Sequence, residues 1–192
     1  MSEIAVLGVG GAGCDYAFRT RALTGQRIVA VNTDRAALKK SLVHEQLLIG
    51  VVTCKGEAAC TPDWGRRAAQ ESQHDLEKVL AGMRSLVLLG GLGGGTGTGA
   101  LPVIASIAKA RGLQVHAAVS LPFAFEASRR RIAMEGLHRL NAIVASVFVY
   151  DHAVEETNVA TTNSGLIEVL ERATTAIAGH AAALVSDLLR EQ

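Results

Sequence analysis

A chain of 192 residues, 49% hydrophobic and 19% charged, is long enough for one domain with a buried core and too apolar for a disordered segment. Its 19 Lys and Arg against 18 Asp and Glu leave a net charge of +1, so no basic field marks it for nucleic acid. The 3 cysteines cannot all pair and show no C-x-x-C or other metal-ligand spacing, which predicts reduced thiols in a cytoplasm. In chain order, the apolar run at residues 4–7 predicts a first strand, followed by a helix over 13–23. A second strand at 28–31 leads to a helix over 35–42, and a third strand is expected at 47–49. A long helix is predicted over 62–80, with Thr61 as its N-cap, Pro62 in its first turn and Asp63 beside its positive end. Strand 86–89, helix 98–111, strand 115–119, helix 128–140 and strand 144–149 follow. Near-continuous apolar strands alternating with helices predict an α/β fold with a doubly wound, mainly parallel sheet in a single domain over 1–192. Leu166, Leu170, Ala173, Ile177, Ala181, Leu184 and Leu188 then fall three or four apart. They predict one apolar stripe on a final helix over about 164–190, roughly 40 Å long and capped by Asn163 or Ser164. No apolar run is long enough to span a membrane and no leader pattern opens the chain; membrane association is left open by the sequence.

Glycine is the main clue. Of the 20 glycines, 4 stand in residues 8–13 and 7 in residues 90–99. The first cluster, Gly8-Val9-Gly10-Gly11-Ala12-Gly13, satisfies G-x-G-x-x-G between a strand and a helix. Glycine lets the backbone approach a phosphate closely, and the following helix offers unpaired N–H groups at its positive end. A tight strand–helix turn without ligand accounts for this cluster equally well. The second cluster, Gly90-Gly91-Leu92-Gly93-Gly94-Gly95-Thr96-Gly97-Thr98-Gly99, is denser than a turn requires. It suggests a backbone wrapped around phosphates, with Thr96 and Thr98 as hydroxyl donors. No lysine follows the glycines, which argues against a P-loop ATPase.

The segment Gly93-Gly94-Gly95-Thr96-Gly97-Thr98-Gly99 resembles the GGGTGTG signature of FtsZ and the tubulin superfamily. Other segments are similar in the same order: Gly8 to Gly13 to the first nucleotide loop, Ala30-Val31-Asn32-Thr33-Asp34 to AVNTD, Gly65-Arg66-Arg67-Ala68-Ala69 to VGRNAA, and Leu121-Pro122-Phe123-Ala124-Phe125-Glu126 to KPFNFEG. The resemblance implies a Rossmann-like GTP-binding domain that ends in the family's long central helix. It implies phosphate contacts from Gly10, Gly11, Ala12 and Gly13 and from Gly93, Gly94, Gly95, Thr96, Gly97 and Thr98. Asn32 and Asp34 would approach the γ-phosphate or the shell of a Mg²⁺ ion, although Asn and Asp at a strand end also favour turns. Glu126 would contact the ribose. Arg130, one helical turn on, would stand near the nucleotide; an exposed ion pair between the two is the plainer reading. His152 and Thr174 would face the base, where the family has Asn and Asp. The loop Lys55-Gly56-Glu57-Ala58-Ala59-Cys60-Thr61-Pro62 replaces a glycine-rich family segment.

In the family, the next subunit supplies acidic residues from a loop after the central helix to hydrolyse GTP. This chain runs out at Glu191-Gln192. The expectation is therefore a protein that binds GTP and GDP, with Mg²⁺ accompanying GTP, and hydrolyses little by itself. It would act as a cytoskeletal, membrane-remodelling or division-associated component, alone as a homo-oligomer or filament or docked on a full-length FtsZ-like partner. Two other classes remain open on the residues. An NAD-dependent oxidoreductase would use the first glycine cluster with Asp34, but leaves the second cluster without a purpose. A nucleotide-independent scaffold would assemble through its helices.

Overall fold

The structure, a computed structural model, describes residues 3–154 and 165–191. Its centre is a six-stranded sheet formed by β1 (Ile4–Val9), β2 (Arg27–Asn32), β3 (Glu45–Leu48), β4 (Ser85–Gly91), β5 (Gln114–Leu121) and β6 (Ser146–Asp151). Every pair is parallel and the order is β3-β2-β1-β4-β5-β6. The predicted α/β fold with a doubly wound parallel sheet is the observed one. The middle strands are apolar throughout because helices cover both faces: all six residues of β1 are buried.

One face carries α3 (Pro62–Glu71), α4 (Gln73–Val79), α5 (Gly95–Ala110) and α6 (Ala127–Asn141). Their Ala68, Leu76, Leu101, Ile104 and Leu140 close on Leu7, Leu86 and Leu88 of the sheet. The other face carries α1 (Gly10–Thr24), α2 (Arg35–Lys40) and α7 (Leu166–Arg190), whose Ala17, Leu38, Ile177, Ala181 and Leu188 close on Ile4, Val6 and Val87. Each large aliphatic side chain so buried contributes about 1.5–3 kcal/mol. The final helix packs here through Val169, Ala173, Ile177, Ala181, Val185 and Leu188, so the predicted stripe is met at Ala173, Ile177, Ala181 and Leu188, whereas Leu166 and Leu170 are exposed and the buried face runs through Val169 instead. His180 of α7 stacks on Phe148 of β6 at 4.2 Å. Among the described residues no helix is long and apolar enough to cross a membrane.

Several boundaries differ from the sequence expectation; α2, for one, ends at Lys40 rather than at residue 42. The helix expected over 62–80 is interrupted at Ser72, which leaves helical geometry at φ −92° and ψ 18°. Its hydroxyl is turned inward to accept the Gly50 N–H at 2.9 Å, a bond to a distant loop that competes with helix continuation. In addition, α1 and α5 begin at Gly10 and Gly95, three residues earlier than expected, so the glycine clusters form the helix starts themselves. Strand β6 runs over Ser146–Asp151 and β3 over Glu45–Leu48, shifted by one or two residues from the apolar runs. The expected caps Asn163 and Ser164 lie outside the described residues; Gly165 stands at the N-cap of α7.

Where α3 crosses α5 the two backbones touch. A Cβ on Gly99 would lie 2.0 Å from the Pro62 carbonyl oxygen, and one on Gly65 would lie 2.2 Å from that of Gly95.

Candidate functional site

The strand order reverses between β1 and β4, which leaves a crevice at the carboxyl ends of the strands. A cleft of about 650 Å³ occupies that place, within the size of small-molecule sites. Val9 and Gly94 stand at the N-caps of α1 and α5, and neither helix start has a side-chain cap. Two sets of first-turn N–H groups, with the positive ends of two helix dipoles, therefore open on one cavity. Among the described lining residues, Arg129 is the sole Lys or Arg, and it is paired with Glu126. The attraction for an anion thus comes chiefly from backbone.

The glycines of the second cluster divide between packing and access. Gly93 takes φ +99° under Pro122, and a Cβ on Gly95 would lie 1.9 Å from the Ala59 carbonyl oxygen. By contrast, a Cβ on Gly11 or Gly94 would meet nothing within 4 Å, and both line the cleft. Close backbone packing thus explains glycine at Gly93, Gly95, Gly97 and Gly99, while Gly94, Gly95 and Gly97 also line the cleft.

Of the residues singled out in the sequence, Gly10, Gly11, Ala12, Asn32, Asp34, Gly94, Gly95, Thr96, Gly97, Glu126 and His152 line this one cleft. Thr96 is 8% exposed and its hydroxyl lies 2.8 Å from that of Thr33, which also accepts the Ala59 N–H at 3.0 Å. Three loops around the cleft are tied at this point. Asn32 accepts the Asp34 N–H through its side chain. Asp34 caps α2, accepting the N–H groups of Ala36 and Ala37 at 2.8 and 2.9 Å. Glu126 accepts the Phe123 N–H at 3.1 Å through its other oxygen.

Five of the singled-out residues stand off the cleft wall. Gly13 lies behind it, packed so closely that a Cβ would fall 2.5 Å from the Leu89 carbonyl oxygen. Gly93 is held under Pro122, as above. Thr98 is buried and accepts the Gly93 N–H at 2.8 Å, so it shapes the loop from within rather than offering a donor to the cleft. Arg130 donates both guanidinium arms to Asp151, at 2.6 and 2.9 Å, and one arm to the Pro122 carbonyl at 2.6 Å. The same guanidinium holds the Asp151 carboxyl below its ordinary range. The Thr174 hydroxyl donates to the Leu170 carbonyl at 2.9 Å, the usual back-bond of a helical threonine.

Several lining residues escaped the sequence reading of the site. Tyr16 donates to Ser120 at 2.8 Å on the cleft floor, and burial pushes its phenol up. Phe123 and Phe125 stack at 5.3 Å; their signal was two rings in three residues directly after a buried strand. Leu166 and Leu170 reach the cleft from the start of α7.

No group of three or more His, Cys, Asp or Glu able to hold a metal is found among the described residues. Asn32 and Asp34 bring side-chain carbonyl and carboxylate oxygens to the cleft near the helix starts, and both already serve as acceptors. These residues fit Mg²⁺ carried in on phosphate oxygens with its waters, and do not fit a dedicated protein cage.

A parallel sheet in this order, with glycine-opened helix starts facing its switch point, defines an α/β domain of the nucleotide-binding kind. The chain belongs to the tubulin/FtsZ family: the model of the "Tubulin/FtsZ family, GTPase domain" matches residues 3–154. It is 43% identical over 152 residues to "Cell division protein FtsZ 1" of Pyrococcus abyssi, covering 77% of this chain and 41% of that protein. With "Cell division protein FtsZ" of Neisseria meningitidis it shares 38% over 149 residues, 76% of this chain and 38% of the relative. The "FtsZ dimer, empty" of M. jannaschii superimposes with a TM-score of 0.89 at 33% identity, covering 96% of this chain and 55% of that one. CetZ2 from Haloferax volcanii, a GTPgS-bound protofilament, follows with 0.81 at 26%, covering 96% and 58%. The chain thus spans about two-fifths of the length of the curated relatives it matches. A nicotinamide-dependent oxidoreductase finds no support among these relatives.

Proposed function

We propose that the protein binds GTP and GDP in this cleft, with Mg²⁺ accompanying GTP, and works in the cytoplasm as a cytoskeletal or division-associated component. The observation that carries the reading is the convergence of two side-chain-uncapped helix starts, at Gly10 and Gly95, on one cavity. It agrees with the family and with the printed descriptions of the relatives, a cell-division protein and a GTPgS-bound protofilament. The phosphates would lie against the N–H groups near Gly11, Ala12, Gly94 and Thr96.

Hydrolysis by the chain alone is proposed to be slow. The carboxylates that line the cleft among the described residues, Asp34 and Glu126, are engaged in a helix cap and in a pair with Arg129. Neither is free to orient an attacking water, and positioned charge is the source of phosphoryl-transfer catalysis. A facing subunit, a second copy of this chain in a homo-oligomer or filament or a full-length FtsZ-like protein, would complete the site.

Gly11→Glu tests the reading, because open space at Gly11 accepts the side chain while its charge faces the phosphates. In a titration with GTP and Mg²⁺ we expect saturable binding by the parent and its loss in the variant at unchanged thermal stability. Equal binding by both would refute the site. Turnover of GTP by a full-length FtsZ, measured with and without this chain alongside co-sedimentation, tests the partner; no effect on either would refute that part.

A further inference from the structure

The end of the sheet opposite the cleft holds a titratable group that the site does not use. His116 is the third residue of β5, and parallel pairing sets it beside Val87 of β4 and Ser146 of β6. Neighbours in register share a face of the sheet. Val87 belongs to the cluster that Val185 and Leu188 of α7 close over, so His116 faces the last turns of that helix. Only 7% of the residue is exposed. One ring nitrogen, Nδ1, lies 2.7 Å from the Ser146 hydroxyl. The other, Nε2, is buried and has no hydrogen-bond partner among the described residues. A buried polar atom left unmet carries a cost that an apolar side chain at this position would avoid.

The surroundings serve a cation on this ring poorly. From β4 comes the apolar Val87, from β6 the neutral Ser146, and from α7 Leu188 and the carboxylate of Glu191 at its C-cap. Asp187 and Arg190 of the same turn pair with each other at 3.2 Å. Burial holds the imidazole below its ordinary value, and the Glu191 carboxylate offsets part of that. Protonation also makes Nε2 a charged N–H donor with no acceptor. When the last turns of α7 lift away, water reaches the ring and removes this penalty. The lifted form thus takes up a proton more readily than the docked one. Docking is at full strength above the free-imidazole value of about 6.5, and weakens as pH falls from there toward the lower docked value.

We propose that His116 is a proton-sensitive latch beneath α7: when neutral it lets the end of the helix close on β5, and when protonated, in mildly acid solution, it releases those turns from the sheet. The latch belongs to the fold and stands whether or not the cleft takes a nucleotide. His180 is the histidine of α7 itself. Its ring lies on Phe148 at 4.2 Å and burial holds it below its ordinary value too, but the residue is exposed, so water reaches a charge there without movement of the helix.

The test is amide hydrogen exchange of the full chain at pH 7.5 and pH 5.5, corrected for the intrinsic pH dependence, with the His116 ring followed by NMR across the same range. One proton taken up on opening raises an opening constant by at most about tenfold per pH unit. For amides in residues 181–188 we expect a rise of about threefold or more between the two conditions, and a His116 ring that titrates below about 6.5. His116→Val suits an apolar strand position and leaves Ser146, at the exposed start of β6, to water. In that variant the rise should shrink to less than about half, and in His180→Gln it should persist. A His116 ring that titrates at or above about 6.5, a rise undiminished in His116→Val, or a rise abolished in His180→Gln would overturn the latch. If His116→Val does not fold, the ring titration of the parent and the His180→Gln variant still decide, since neither alters the latch.

Discussion

Replacing Thr33 by valine would probe the knot that ties the cleft loops together. The side chain is fully buried, its hydroxyl accepts the Ala59 N–H at 3.0 Å, and it shares a hydrogen bond with Thr96 at 2.8 Å. Valine keeps the shape and removes both bonds. Ala59 is itself buried, so its N–H is left without a partner, at a cost of about 1–3 kcal/mol. Thr96 lines the cleft and can turn its hydroxyl to water, so its share of the loss is small. With a central value of about 2 kcal/mol and a urea slope of about 2 kcal/mol per M, the unfolding midpoint falls by about 1 M. The single tryptophan, Trp64 in the first turn of α3, provides a fluorescence readout close to the change. Thr96→Val should cost less than about 1 kcal/mol, and the double variant less than the sum of the two, since one bond is removed twice. A Thr33→Val midpoint within about 0.2 M of the parent, or a larger loss from Thr96→Val, would refute the assignment of Thr33 as the buried hub.

Three further outcomes follow from features already described. Gly99→Ala drives a Cβ to 2.0 Å from the Pro62 carbonyl oxygen and should destabilise by about 3 kcal/mol or more, whereas Gly179→Ala, with nothing within 4 Å, should stabilise by about 0.5–1 kcal/mol; thermal unfolding of the pair checks both signs. Because Arg130 lowers the folded-state pKa of Asp151, that carboxylate adds stability above its unfolded value near 3.9, and the contribution is lost as pH falls through the lower folded value. The stability gap between the parent and Asp151→Asn should thus be constant from about pH 5 upward and shrink below about pH 4 in urea titrations. Burial, reinforced by the Asp15 carboxylate, pushes the Cys14 thiol up to about 12, and Cys54 is also buried while Cys60 is exposed. A thiol reagent at pH 8 should modify one cysteine quickly in the folded protein and all three in urea; fast modification of Cys14 would contradict its placement.

The sheet was legible because its strands are buried on both faces and spell themselves as unbroken apolar runs, as at Val6-Leu7 and Val87-Leu88-Leu89. The first-loop and signature-loop positions Gly11, Gly94 and Thr96 were legible through the family motif and do reach the cleft. What stayed hidden depends on partners distant in sequence. The break at Ser72 answers to Gly50, and the inward turn of Thr98 answers to the Gly93 N–H, a bond that a run of glycines and threonines does not announce. Helical spacing offered Glu126 as an ion-pair partner for Arg130; the structure pairs Arg130 with Asp151 on a strand 21 residues away. The stacking of His152 on Phe123, with centroids 4.5 Å apart, needed β6 beside β5 before the two rings could be seen to meet.

The contact of α3 with α5 has a mechanical meaning. Gly65, Gly95 and Gly99 bring backbone against backbone, and the Ala59 carbonyl sits in the notch at Gly95. Side chains ordinarily act as springs between helices, rotating to absorb a displacement. At these three glycines there is none, and a shift of the segment Ala58-Ala59-Cys60-Thr61 toward α5 meets the backbone of its first turn directly. Pressure on the wall formed by that segment therefore bears directly on the first turn of α5, with no side chain at the contact to absorb it.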